Sequence, residues 1–173
     1  MKITPERREE LDLLELTTLV PDHYLVEIGR VVANFAILEK ELSSLIHCLL
    51  GTNEDVTQIV TSELSFRNLL DLSASLVKQL HSPKETELFK ATLKLVEKAE
   101  EKRNLIVHSI WKVGFDWGVT RSKNTAKRGR GLQTQNEFYS LEDLQIVAVQ
   151  IVRARRAVRI FRESLGCTDD LSY

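Results

Sequence analysis

The sequence predicts an all-α fold: an antiparallel bundle of about five helices, with a small β-hairpin inserted before the last one. Three observations lead there. Apolar residues recur at steps of three and four over most of the 173 residues, the period of a helix with one buried face. Only three prolines and seven glycines occur, and they punctuate these stretches rather than fill them. One segment, 111–139, departs from the pattern with alternating, β-branched and aromatic residues. The chain, 1–173, reads as a single helical domain, long enough to bury a core of its own.

Each element follows from local signals. Pro21 and Asp22 open the first long helix, because proline suits a first helical turn. Val31, Phe35, Leu38, Leu42, Leu45 and Leu49 form its apolar side, and Gly51 stops it. Thr52 or Asn53 caps a short helix from about Glu54 to Glu63. Ser65 precedes a third helix with Phe66, Leu69, Leu70, Leu76, Val77 and Leu80 on one side. Ser82 and Pro83 open a fourth, running through Leu88, Leu95, Ala99 and Ile106. "WKVGFDWGV" (111–119) reads as a strand, "TRSKNTAKRGRG" (120–131) as a basic loop, and "LQTQNEFYS" (132–140) as the returning strand. Ser140 with Asp143 makes a capping box for the last helix. That helix places Leu144, Val147, Ile151, Ala154, Val158, Phe161 and Leu165 in a heptad-like seam that ends at Gly166.

Hydrophobic residues are 43% and charged residues 28%, which excludes a disordered chain. No apolar run approaches the roughly 18 residues of a transmembrane helix, so no membrane partner is expected. The N-terminal "MKITPERREELDLLEL" lacks a signal-peptide core. Cys48 and Cys167 have no metal-ligand spacing and read as free thiols of a reducing cytoplasm. With no CxxC or HExxH, neither a metal nor a cofactor is expected. The net charge of −1 hides an asymmetry: residues 1–102 hold 12 Lys and Arg against 18 Asp and Glu, whereas 103–162 hold 12 against 4. A basic second half suits a polyanion such as RNA, although charges also segregate onto solvated helix faces.

Helix projection brings out two charges. Glu39 falls inside the apolar stripe of the first helix, and Arg103 inside that of the fourth. Charges enter a core when they are paired, so Glu39 and Arg103 are expected to meet as an ion pair across the packed helices. Such a pair fixes helix register, or it holds the arginine in one orientation beneath a site. Asn104 and His108 lie one turn apart on another face, with His108 about 140° around from Arg103.

Arg103-Asn104-Leu105-Ile106-Val107-His108, near the end of a bundle helix, resembles the signature of the HEPN domain (higher eukaryotes and prokaryotes nucleotide-binding). That signature is an arginine and a histidine four to six residues apart, often with a polar residue after the arginine. The resemblance covers the bundle, roughly residues 21–165, but only the short motif is diagnostic. Arg67-Asn68 has no histidine following it and is assigned no role. HEPN proteins are commonly metal-independent ribonucleases of toxin–antitoxin and phage-defence systems, and typically act as dimers with the two motifs at the interface. The resemblance implies His108 as general acid or base, Arg103 as stabiliser of charge on the scissile phosphate, and Asn104 as an orienting group. An imidazole titrates near neutral pH, which suits proton transfer. One histidine per chain does not easily serve as both acid and base, which argues separately for a homodimer. Some family toxins carry a tyrosine two residues after the histidine, the target of an antitoxin; here that position is Ile110. The basic hairpin is likewise not a general feature of the family.

Arg121, Lys123, Lys127, Arg128 and Arg130 crowd the expected loop, and read either as an RNA-guiding patch or as a flexible solvated loop. Trp111, Trp117, Phe138 and Tyr139 flank it, as base-stacking groups or as the hairpin's own small core. Arg153, Arg155, Arg156, Arg159 and Arg162 ring the last helix as a solvated face or a second phosphate patch. The expected function is a cytoplasmic HEPN-type endoribonuclease, with RNA as substrate and an antitoxin or defence protein as a further partner. The alternatives are a catalytically inactive HEPN-like module that binds nucleic acid or protein, and a plain helical dimerisation domain.

Overall fold

The computed structural model describes residues 20–113, 119–127 and 131–167. The element order is α1 (Asp22–Leu50), α2 (Glu54–Ser62), α3 (Phe66–Leu80), α4 (Pro83–Val107), β1 (Ile110–Val113), β2 (Val119–Lys127), β3 (Gly131–Tyr139) and α5 (Leu141–Ser164). The mostly helical class, the five helices and the sheet before the last helix agree with expectation. Among the described residues, no helix is long and apolar enough to cross a membrane.

The caps fall where the sequence placed them. Asn53 Oδ1 accepts from the Asp55 amide at 2.8 Å and starts α2. Ser65 Oγ accepts from the Asn68 amide and starts α3. Ser82 and Glu85 close a reciprocal capping box at α4, and Ser140 and Asp143 another at α5. Each box satisfies amides that the first helical turn leaves without partners. Gly51 ends α1 at φ 59°, a left-handed conformation that glycine adopts without steric cost.

Four helices, α1, α3, α4 and α5, and the sheet join one core. Leu38, Leu42 and Leu45 of α1 are fully buried beside Val77 of α3, Val96 of α4 and Ile151 of α5, with Val119 and Tyr139 from the sheet. Phe89 of α4 meets Phe161 of α5 with ring centroids 4.7 Å apart, while Lys102 borders one groove with Val147, so these helices run antiparallel. α1 and α5 instead run parallel. Gln145 donates to Glu27 at 3.1 Å, Arg162 faces Glu41 at 3.5 Å, and Cys48 bonds to Cys167 just past α5, in ascending order along both segments.

Three expectations need correction. The basic segment 120–131 is not a loop: most of it is β2, the centre of a three-stranded antiparallel sheet ordered β1-β2-β3. Continuous pairing from Val119↔Tyr139 to Lys127↔Gly131 satisfies its backbone. Cys48 and Cys167 are not free thiols but a disulfide, because the parallel packing of α1 and α5 brings their Cα atoms to 6.0 Å. Arg162 is not on a solvated face. It is buried and pairs with Glu41, itself largely buried.

Candidate functional site

α4 carries the candidate site at its C-terminal end. Its buried positions are Phe89, Thr92, Val96, Ala99 and Ile106, in steps of three, four, three and seven. Arg103 stands in the middle of the seven-residue step, where an apolar residue would complete the seam. The side chain is half-buried, and Phe35 of α1 receives its guanidinium, whose carbon lies 4.9 Å from the ring centroid. An arginine over an aromatic face gains about 0.5–2 kcal/mol, more as water is excluded. Nη1 also donates to Asn104 Oδ1 at 2.9 Å. Nε is buried and, among the described residues, has no hydrogen-bond partner.

The expected Glu39–Arg103 ion pair is not formed. Phe35, one turn before Glu39 on α1, occupies the face of the guanidinium instead. Among the described residues, no ion pair joins the two charges. They still interact at longer range. Burial pushes the Glu39 carboxyl above its ordinary value, and the Arg103 cation opposes that rise without cancelling it. Among the described residues, Arg103 therefore stands half-buried with no carboxylate in ion-pair contact.

His108 is the residue after the last helical one, with φ −98° and ψ 30°, and its side chain is exposed. Its amide donates to Asn104 O at 3.2 Å. The turn around it is held by three further groups. Ser109 Oγ donates to Leu105 O, and Trp111 Nε1 donates to Ile106 O at 3.0 Å, so consecutive end-of-helix carbonyls find partners. Arg121 of β2 donates from Nη1 to Ser109 Oγ at 3.2 Å and from Nη2 to Glu137 at 2.6 Å. Its guanidinium also faces the Tyr139 ring at 5.8 Å. The structure thus joins Arg103 to Asn104, and fixes the backbone that presents His108. Among the described residues, no hydrogen bond links the His108 ring to either side chain.

The basic patch is redistributed. Arg121 is 3% exposed, so it is a buried strut rather than a cation that meets a phosphate. It was drawn inward because β2–β3 register sets it opposite Glu137. Lys123 and Lys127 lie on β2, opposite Gln135 and Gly131. Arg128 and Arg130 lie outside the described residues, as does Trp117. Trp111 packs edge-on against Tyr139 at 5.5 Å, the small-core alternative, whereas Phe138 is 56% exposed. Phe138, Lys102 and Ile146 border a shallow groove between α4, β3 and α5, next in sequence to Arg103.

Sequence reasoning missed the Arg121–Ser109 link and the Trp111 indole bond. The available signal was the polar Ser109 two residues past the helix, a residue type that bonds helix-end carbonyls. Among the described residues, no three His, Cys, Asp or Glu side chains group as a metal site. No family model, curated protein or solved structure matches this chain.

Proposed function

We propose that this chain is a HEPN-like, metal-independent endoribonuclease of the toxin or phage-defence kind. The observation that carries the proposal is the state of Arg103. It sits in a buried seam, stacked on Phe35 and bonded to Asn104, and among the described residues no carboxylate forms an ion pair with it. A half-buried cation without an ion-pair contact favours an incoming anion, and a phosphodiester supplies one. His108, exposed one turn beyond Asn104, is free to exchange a proton with a bound strand.

In this scheme a histidine takes the proton of an RNA 2′-hydroxyl, whose oxygen forms a bond to the adjacent phosphorus. The bond from phosphorus to the 5′-oxygen breaks, and that oxygen takes up a proton. The products are a 2′,3′-cyclic phosphate and a 5′-hydroxyl. Arg103 meets the charge that builds on the phosphoryl oxygens, and Asn104 holds Arg103 in place. A second chain provides the second histidine, so that acid and base are separate groups. Lys102 and exposed Phe138 offer a cation and a stacking surface beside the motif.

One observation favours a second reading, a catalytically inactive RNA-binding module: within one chain, the His108 ring is not coupled to Arg103 or Asn104. Induced expression of wild type against His108→Ala separates the two. Growth arrest with RNA fragmentation that the substitution abolishes supports the nuclease. Equal behaviour of both proteins in cells supports the inactive module.

A further inference from the structure

The short helix α2 is mounted with its polar side inward. It buries Thr57 and Thr61, and leaves Val56, Ile59 and Val60 exposed at 50%, 74% and 45%. The inward side is fully engaged. Thr57 Oγ1 lies 3.0 Å from Thr52 Oγ1 and 3.2 Å from His47 Nδ1, and Thr61 Oγ1 donates to Thr57 O at 2.9 Å. Thr57 therefore ties α2 to His47 of α1, and the β-branched side is left in water. Asp55 and Glu63 border that side, and among the described residues neither has an ion pair. An exposed apolar face of this kind marks a contact surface.

α5 carries a matching surface. Opposite its buried seam, Ile146, Val149, Arg153, Arg156 and Ile160 follow one another in steps of three, four, three and four, all exposed. That spacing is the seam of a helix that packs against another helix. Its apolar ends flank two arginines, and among the described residues neither Arg153 nor Arg156 has an ion pair. Arg159, by contrast, is held by Glu163 at 3.2 Å.

We propose that the outward face of α2 docks on the Arg153–Arg156 stripe of α5 in a second copy of this chain. Both surfaces are solvent-exposed in the single chain, so they do not satisfy each other within it. Their charges are opposite, their apolar residues are exposed, and one chain supplies both halves. The contact is heterologous, with a different surface from each copy, so it either closes into a ring or propagates. It stands apart from the ribonuclease reading, because none of its residues belongs to the Arg103–Asn104–His108 set.

Sedimentation velocity of the full chain over a range of concentrations tests this. Wild type is expected to self-associate, and more weakly in high salt. Ile59→Glu and, separately, Arg153→Glu with Arg156→Glu should each raise the apparent dissociation constant about tenfold or more. Combining Arg153→Glu and Arg156→Glu with Asp55→Lys and Glu63→Lys should restore association, a result that mere loss of stability does not give. Circular dichroism confirms that each variant is folded. Wild type that stays monomeric overturns the proposal. So does an assembly indifferent to Ile59→Glu, or a charge swap that fails to restore it in folded protein.

Discussion

Arg121 Nη1 donates to Ser109 Oγ at 3.2 Å, which ties the middle strand of the sheet to the turn directly after α4. Ser109 passes the constraint on to Leu105 O, so the backbone carrying His108 is fixed from both sides. Arg121→Ala should cost about 1–3 kcal/mol, the range for a lost buried hydrogen-bonding group. The larger penalty of an orphaned buried charge is not expected, since Glu137 is 55% exposed and stays hydrated. Hydrogen exchange should accelerate at residues 108–111 specifically. If His108 has the proposed role, cleavage should fall on the order of 10²-fold, as for a misplaced catalytic group. Unchanged exchange at 108–111 would rule out the strut.

Glu39 gives a prediction with a definite sign. Its carboxyl is raised in the fold, burial outweighing Arg103, so the folded state favours the protonated form. Its contribution to stability is present below the ordinary carboxylate range and is lost as pH rises through the raised value. Glu39→Gln should therefore melt at or above wild type at pH 7, with the advantage vanishing in acid. Thermal melts across pH check this. A Glu39→Gln protein less stable than wild type at pH 7 would show that the Arg103 attraction dominates after all.

The α5 capping box behaves in the opposite way. Hydrogen bonds from Ser140 hold the Asp143 carboxyl below its ordinary value. A lowered carboxyl contributes stability above its unfolded value and loses it as pH falls through the folded one. Ser140→Ala should cost about 1 kcal/mol at pH 7, or about 2–4 °C in Tm for a chain of this size. Melts in acid should show a smaller gap. A gap that widened there would contradict the cap.

How much of this was legible in the sequence depended on range. Asn53 (one of two candidates with Thr52), Ser65, Ser82, and Ser140 with Asp143 act within four residues, and each starts the helix it was expected to start, whereas the part of Glu85 in the Ser82 cap was not read. Arg121 was misread because its burial depends on β2–β3 register and on Ser109, twelve residues earlier, which no local pattern encodes. Helix projection placed Arg103 in a core seam, but not the choice between Glu39 and Phe35, one turn apart on α1. The cap located α2 but did not show which side faces the bundle, and it is the threonine side that does. The Cys48–Cys167 bond spans 119 residues and follows only from the parallel run of α1 and α5.

That disulfide closes a long loop, which restricts the unfolded chain more than a short one would. Removing it should cost about 2–5 kcal/mol. Wild type should melt lower in reductant, and Cys48→Ser with Cys167→Ser should melt low in both conditions. Two alkylatable thiols in unreduced, folded wild type would contradict the bond.

The central claim concerns Arg103 and His108, and RNA cleavage in chelator tests it most directly. Purified wild type, His108→Ala and Arg103→Ala are incubated with end-labelled RNA and the fragment ends are identified. Wild type should leave 2′,3′-cyclic phosphates, and His108→Ala should be slower by about 10²–10⁴-fold, the share of a general acid or base. Arg103→Ala should be slowed comparably. RNA bound but uncut by wild type, or cut equally by wild type and His108→Ala, would contradict the proposal.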